Sequence, residues 1–171
     1  MKDIYIIKHY RKLITSFRKN FTHTYVRSGM EDIHQLRVDI KKLRVILQLA
    51  ERTSKKKYRK GGHFKLFASL FSIAGKVREL QVNSKLAHHY DNDNKLGLVS
   101  KLKSEIEINS LKLERELSKF NFKSLSAQDR KLFSCQPELK NKMVIHSSVL
   151  YIKGLLAKIE GSVRDECESG D

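Results

Sequence analysis

Apolar residues recur every three or four positions along most of this sequence, and that period limits the possible folds more than any other feature. Such spacing puts the apolar side chains on one face of an α-helix, which turns once every 3.6 residues. No segment alternates convincingly between apolar and polar residues as a strand would. We therefore predict an all-α fold, an antiparallel bundle of five to six long helices. In the first predicted helix the apolar face consists of Ile6, Tyr10, Leu13, Ile14, Phe17, Phe21 and Tyr25.

Few residues interrupt this pattern, since the chain contains one proline and eight glycines among 171 residues. The third helix is expected to bury nine apolar residues, Phe64, Phe67, Leu70, Phe71, Ile73, Ala74, Val77, Leu80 and Leu86. The fourth is expected to turn inward Leu102, Ile106, Leu113 and Leu117. A loop is expected at 122–129, followed by a short helical stretch that leads to Pro137. The long helices are predicted at about 4–27, 31–52, 63–89, 98–120 and 142–164.

The positive charge of the chain is concentrated in its first half. Residues 1–90 contain 21 Lys and Arg against 6 Asp and Glu, whereas residues 91–171 contain 14 against 13. The formal net charge of the whole chain is +16. This asymmetry predicts an electropositive surface that attracts polyanions, whether nucleic acid, acidic lipid headgroups or phosphate chains.

Four of these basic residues form a stripe on the second predicted helix. His34, Arg37, Lys41 and Arg44 are three or four residues apart and lie beside the apolar stripe, while Lys42 projects elsewhere. Like charges at this spacing destabilise an isolated helix by about 0.2–0.5 kcal/mol per pair, so helix stability does not explain them. They could form a solvated face whose methylenes cover apolar edges. They could equally form a concave anion site in which guanidinium groups bind phosphate oxygens.

His34 also has two interpretations. A single histidine beside a core is usually a hydrogen-bonded buried polar group. In an anion site it would donate a hydrogen bond in either protonation state.

Two segments resemble the CHAD family, the conserved histidine alpha-helical domain. Residues 34–44, HQLRVDIKKLR, match the family pattern H-x-x-R-V-x-x-[RK]-[RK]-L-R at every defined position. Residues 75–82, GKVRELQV, are similar to its second motif, G-x-x-R-D-x-x-V, with Glu79 in place of the aspartate. The resemblance covers about residues 29–87.

The resemblance implies a helical domain that binds inorganic polyphosphate through a basic surface, performs no catalysis and needs no cofactor. Glu79 would orient a neighbouring Arg or Lys. Weaker candidates, chosen by charge and helical placement, are Arg11, Arg18, Lys76 and Lys85. The ligand-binding residues carried over from the motifs are His34, Arg37, Lys41, Lys42, Arg44 and Arg78.

The resemblance also implies a repeat of the helical unit, which this sequence matches weakly. His146 and Lys153 keep the offset of His34 and Lys41, but Val149 and Leu156 stand where arginines would be expected. We therefore expect one domain, 1–171, in which a basic four-helix unit (1–120) precedes a degenerate or partial second unit (121–171). A one-sided basic groove is expected rather than an enclosed channel.

Two other functions stay open. The basic surface could bind RNA or another nucleic acid, although aromatic residues make up only 8% of the chain, tryptophan is absent and no base-stacking platform is evident. His34 could be a phosphotransfer histidine, but the Lys and Gly that follow the histidine in such domains are missing. If the protein binds polyphosphate, nucleic acid would be a competing ligand for the same basic surface.

Several remaining features indicate no further site. The apolar run Ile4–Ile7 is too short for a signal peptide and no membrane span is evident, so we expect a cytosolic protein, with association with polyphosphate granules implied by the resemblance. Cys135 and Cys167 are expected to be reduced thiols. Residues 88–97, HHYDNDNKLG, fit a turn better than a metal site, and the basic run 55–60 fits a solvated connector.

Overall fold

The computed structural model describes residues 5–90 and 97–139, together with residues 145, 146, 149, 150 and 152. This part of the chain is helical and contains no strand, which confirms the all-α prediction. The helix predicted at 142–164, with His146 and Lys153, falls largely outside the described residues. The described part of the chain contains five α-helices, followed by a 3-10 turn at Gln136–Glu138. They are α1 (Tyr5–Arg27), α2 (Met30–Thr53), α3 (Gly61–Tyr90), α4 (Leu98–Ser118) and α5 (Phe122–Ser134).

From α1 to α4 each helix runs antiparallel to the one before it, as side-chain contacts between α1 and α2 illustrate. Ser16 on α1 donates a hydrogen bond to Asp39 on α2, at 2.9 Å. Further along α1, His23 lies 3.9 Å from Asp32, which is earlier on α2. Residue numbers therefore rise on one helix as they fall on the other. α3 packs along both α2 and α4, so it lies at the centre of the bundle.

Aromatic rings from four parts of the chain form the centre of the core. Phe17 on α1 contacts Phe67 on α3 with ring centroids 5.1 Å apart, and Phe120, after α4, at 5.6 Å. Phe21 contacts both Phe120 and Phe122, which begins α5, at 5.2 and 5.0 Å. Tilted and edge-to-face pairs of this kind add to the free energy of apolar burial. The cluster joins α1, α3, α4 and α5 in one core.

The loop expected at 122–129 is wrong, because this stretch forms the first two turns of α5. The side chain of Asn121 caps the helix by accepting a hydrogen bond from the Ser124 backbone N–H at 2.9 Å. Leu125 and Leu132 are fully buried, as is Leu139 beyond the helix, in the same cluster as α1 to α3. Residues 121–139 therefore share the core of the preceding helices.

Some expected core positions are exposed. Tyr25 is 54% exposed and Leu86 is 55% exposed. On α1 the helical period places Thr24 on the buried face, and on α3 it places Ala87 there. Tyr25 and Leu86 are each one residue, or about 100°, away from these buried positions. On α4, Leu113 and Leu117 are buried as expected, but Leu102 and Ile106 are only half-buried.

A polar cluster is buried within the apolar core. His63, at 0% exposure, contacts the Tyr58 hydroxyl through Nδ1 at 2.7 Å and the Tyr10 hydroxyl through Nε2 at 3.1 Å. The carboxylate of Asp129 accepts a hydrogen bond from Tyr10 and lies 3.1 Å from His63 Nε2. We call these four residues the His63 cluster. It links α1, the connector after α2, α3 and α5.

The environment of the His63 cluster keeps both tyrosines protonated. Burial, followed by the hydrogen bond to the Asp129 carboxylate, raises the pKa of Tyr10 far above its usual value. Burial and the nearby carboxylates of Glu51 and Asp129 raise the pKa of Tyr58 in the same way. Each hydroxyl therefore stays a hydrogen-bond donor within the core.

The connector between α2 and α3 is closed by an ion pair. Lys60 Nζ lies 2.7 Å from Glu51 Oε2, and the Lys60 backbone N–H donates to Glu51 Oε1 at 3.2 Å. Partial burial raises the pKa of Glu51, but these hydrogen bonds outweigh burial and lower it below the usual value. Lys55 and Lys56 turn the chain with left-handed backbone, at φ of 50° and 68°. This connector sets the position at which α3 begins against α2.

No helix in the described part of the chain combines the length and the apolar character needed to cross a bilayer.

Candidate functional site

The basic stripe of α2 lies along its boundary with α3. The Arg37 guanidinium is 5.2 Å from the centre of the Phe71 ring, and that of Arg44 is 5.4 Å from the same ring. Arg44 also lies 5.2 Å from the centre of the Phe64 ring. Each contact is a cation–π interaction between a residue of α2 and a ring of α3. We call this surface the α2–α3 groove.

Gly75 brings the backbone of α3 close to Arg37. A Cβ atom at this position would lie 3.4 Å from Arg37 Nη2, so a methyl group would just touch the guanidinium and a larger side chain would displace it. Phe71 and Gly75 are four residues apart and therefore lie on the same face of α3. The glycine of the second motif thus makes room for the arginine of the first.

Among the described residues of α2 and α3, two guanidinium nitrogens are buried without a hydrogen-bond partner. They are Nε of Arg37 and Nη1 of Arg78. Within residues 5–90 and 97–139, neither arginine forms an ion pair with a carboxylate, and neither does Arg44. Burial of a cationic nitrogen without a hydrogen-bond partner is unfavourable, and for Arg37 the cation–π contact with Phe71 offsets some of that cost. An anion bound in the groove would provide the missing acceptors.

The helical register brings His34 to the level of Arg78. Because α2 and α3 are antiparallel, moving one turn back from Arg37 corresponds to moving one turn forward from Gly75. His34 is half-buried, as is Arg78. The stripe therefore has Arg44 over two rings at one end and a histidine level with an arginine at the other.

The remaining two basic residues of the motif point into solvent. Lys41 and Lys42 are both exposed and form no ion pair in the described part of the structure. They increase the positive potential near the groove without forming its wall. Below Arg44 the groove deepens into a cavity of about 180 Å³ lined by Phe64, Ala68 and Phe71.

The weaker candidates lie at other places. On α1, Arg11 lies 5.3 Å from the Phe133 ring centre and Arg18 lies 5.0 Å from that of Phe122, so both contact α5 and its rings. Lys85 is exposed near the end of α3. The described contacts of these three side chains do not join them to the α2–α3 groove.

Lys76 and Glu79 belong to another side of α3. Lys76 Nζ lies 3.7 Å from Glu79 Oε1, and both side chains are exposed. Glu79 therefore has the cationic neighbour expected from the motif. Lys76 itself lines a cavity between α3 and α4.

Sequence reasoning missed two contributions to the groove. Asp39, inside the first motif, is buried and accepts hydrogen bonds from Ser16 at 2.9 Å and Asn20 at 2.7 Å, which holds α2 against α1. A carboxylate on the core-facing side of an amphipathic helix was the available indication, since a buried charge needs partners. Phe64 and Phe71, expected in the core, are half-buried and form the floor beneath Arg44.

The other candidates from the sequence are a metal site and the two cysteines. Among the described residues, no group of three or more His, Cys, Asp or Glu could hold a metal ion. Within HHYDNDNKLG, residues 91–96 are outside the described part, as is Cys167. Cys135 is a free, half-buried thiol.

No family model, no curated protein and no solved structure matches this chain.

Proposed function

We propose that the protein binds inorganic polyphosphate in the α2–α3 groove and catalyses no reaction on it. The observation that carries this proposal is the pair of buried guanidinium nitrogens without partners, Nε of Arg37 and Nη1 of Arg78. Arg37 lies in the α2–α3 groove, and the helical register puts Arg78 one turn beyond Gly75 on the facing helix. A chain of linked phosphates supplies oxygen acceptors at successive positions, so one ligand can reach both arginines and His34.

The choice of polyphosphate over other polyanions rests on two arguments. Both sequence motifs of the groove resemble those of the CHAD family, for which polyphosphate is the expected ligand. The aromatic rings of the groove are also poorly placed for nucleobases, because guanidinium groups cover Phe71 from two residues and Phe64 from one. A base-stacking surface needs an accessible ring face. A protein with this function would act where polyphosphate accumulates, including cytosolic granules.

The binding should depend strongly on salt and on chain length. Each phosphate contact displaces condensed counterions, so affinity falls steeply as salt rises, by analogy with nucleic acids. A short phosphate occupies only part of the groove and should bind poorly. Affinity should therefore grow with the number of linked phosphates.

A pull-down on long-chain polyphosphate across a salt series tests the proposal. The double variant Arg37→Gln with Arg78→Gln should lose at least about tenfold in affinity, since every tenfold step is about 1.4 kcal/mol and two charge-assisted contacts exceed that. The matched control is Lys12→Gln with Lys19→Gln, which removes the same charge from exposed positions on α1. It should stay within about threefold of the unmodified protein, because long-range attraction is screened. Equal losses of affinity in the two variants would mean that binding depends on net charge alone and not on the groove.

Competition separates the alternative functions. If RNA of matched charge displaces polyphosphate at the same salt concentration, nucleic acid is the better ligand and the assignment is wrong. If incubation with a phosphorylated response regulator adds the mass of a phosphoryl group to His34, the protein is a phosphotransfer domain instead.

A further inference from the structure

A second basic cavity lies between α3 and α4, and among its described lining residues Lys76 alone belongs to either motif. Its volume is about 370 Å³, within the range of small-molecule sites. Four cationic side chains line it, and Glu116 is the one acidic residue of the lining. The four are Lys76, Lys112, Arg115 and Lys119. We call this cavity the α3–α4 groove.

The acidic groups near the α3–α4 groove neutralise little of this charge. The Glu116 carboxylate accepts a hydrogen bond from Ser69 Oγ at 2.5 Å. Glu79 lies 3.7 Å from Lys76, but both side chains are exposed, and exposed pairs of this kind are weak. Within the described residues, Lys112 and Lys119 form no ion pair. The groove therefore has excess positive charge available to a ligand.

The lining suits charged phosphate groups better than nucleobases. Among the described residues it contains no aromatic ring, so none of these side chains would stack on a nucleobase. The Ser72 hydroxyl lies beside the cations and can donate a hydrogen bond to an oxygen. Lysine, arginine and hydroxyl donors around one cavity suit a ligand with several charged oxygens.

The two grooves flank the same turn of α3. Ala68 and Phe71 line the cavity of the α2–α3 groove, and the residues that follow each of them, Ser69 and Ser72, line the α3–α4 groove. Consecutive residues of a helix are about 100° apart, so the cavities open about a quarter-turn from each other around one helix. Given a helix diameter of 10–12 Å with side chains, the surface path between them is roughly 10 Å.

The residues between the two grooves are exposed and have small side chains. Ala68, Ser69 and Ser72 are all exposed, and none has a side chain large enough to separate the two cavities. A flexible anion could therefore pass over α3 from one groove to the other without moving a bulky group.

We propose that the α3–α4 groove is a second binding site for linked phosphates, and that a long polyphosphate chain crosses α3 at Ala68–Ser72 to occupy both grooves at once. This inference rests on the proposed function of the α2–α3 groove. Once one segment of the chain is bound, the adjoining segment is held near the second groove at high effective concentration. Long chains gain from both grooves, whereas triphosphate is confined to one.

The test compares two ligands, tripolyphosphate and size-fractionated long-chain polyphosphate, with affinities measured at fixed salt. The variant Lys112→Gln with Arg115→Gln removes two charges from the α3–α4 groove, and Lys12→Gln with Lys19→Gln serves as the control. All four side chains are exposed, so circular dichroism should show an unchanged helix content. The ratio of long-chain to triphosphate affinity should fall at least about tenfold in the groove variant and stay within about threefold in the control.

The salt dependence gives a second measure. In a plot of log affinity for the long chain against log salt concentration, the groove variant should have a shallower slope by about two contacts. The control should keep the original slope.

The outcomes distinguish this inference from the proposed function. If Arg37→Gln with Arg78→Gln abolishes binding while Lys112→Gln with Arg115→Gln keeps the original affinity ratio and slope, the second groove is excluded and the first stands. If the unmodified protein binds no long-chain polyphosphate, the proposed function fails and this inference fails with it.

Discussion

His63 and Phe64 are neighbours in the chain, yet they belong to two polar regions with opposite properties. In the His63 cluster, both ring nitrogens and both tyrosine hydroxyls have partners, and a carboxylate completes the set. In the α2–α3 groove, which begins beside Phe64, Nε of Arg37 and Nη1 of Arg78 are buried without a hydrogen-bond partner among the described residues. A satisfied buried polar cluster rigidifies a core, whereas an unsatisfied one costs stability and has a use only if something else supplies the partner. The comparison is consistent with a structural role for the first region, and it supports the proposal that the second region binds a ligand.

The largest expected effect is on stability, in the His63 cluster. His63→Ala should lower the free energy of unfolding by about 3–5 kcal/mol, because it opens a cavity and leaves the Tyr58 hydroxyl buried without its partner. Urea unfolding measures this. His34→Ala, in the groove, is the matched histidine control and should cost less than about 1 kcal/mol. Equal losses for the two histidines would erase the distinction between the regions.

The second effect is expected in the groove and depends on ligand. Arg37→Met with Arg78→Met keeps long apolar side chains but removes both guanidinium groups, each of which has one buried nitrogen without a hydrogen-bond partner among the described residues. Its free energy of unfolding should stay within about 1 kcal/mol of the original, because lost cation–π contact and relieved desolvation oppose each other. Long-chain polyphosphate at about 100 times its Kd should stabilise the original protein by about 2.7 kcal/mol, and a variant that binds tenfold more weakly by about 1.4 kcal/mol. A variant that unfolds would show that these arginines are structural.

The third prediction concerns pH. The pKa of Glu51 is lowered in the folded protein, so its contribution to stability is fully present above its unfolded pKa and is lost as the pH falls through its folded pKa. Glu51→Gln should therefore reduce the loss of stability between neutral pH and about pH 3. Glu107→Gln removes an exposed carboxylate of α4 and serves as the control. Identical pH profiles for Glu51→Gln and the unmodified protein would contradict the role of the Lys60 pair.

The smallest effect is expected at Gly75. Gly75→Ala should raise the free energy of unfolding by up to about 1 kcal/mol, since alanine favours a helix and its methyl group only touches Arg37. Polyphosphate binding should persist in this variant. Gly75→Leu should weaken it, because the larger side chain displaces the Arg37 guanidinium. Thermal unfolding and the pull-down measure the two effects, and unchanged binding in Gly75→Leu would remove this glycine from the groove.

Helical periodicity predicted the fold well where one face of a helix is apolar. It predicted the ends of α1 to α4 to within about two residues. An apolar stripe indicates both where a helix forms and which of its faces packs against neighbouring helices. Periodicity failed at α5, whose polar first turns read as a loop until the cap at Asn121 and the core contact of Leu125 are known. The local sequence indicates a helix cap such as Asn121 only weakly, and it does not indicate the core contact of Leu125.

The candidate site was less accessible from sequence. A single helical wheel finds the edge on which Arg37 and Arg44 lie, but only the resemblance pointed to Gly75 and Arg78 on the next helix. Nothing indicated that Lys112 and Arg115 would line a cavity with Lys76. Helical wheels describe one helix at a time, and the packing of α3 against two neighbours decides which charges meet.

The buried Asp39 has a consequence for how a ligand arrives. Because Asp32 and Asp39 face α1 while Arg37 and Arg44 contact rings of α3, α2 is electrically polarised across its width as well as along its axis. The resulting field would steer a diffusing anion toward the α3 side of α2 before any contact forms. Salt should then act mainly on the rate of association and leave the lifetime of the complex comparatively constant, a division that stopped-flow mixing can resolve.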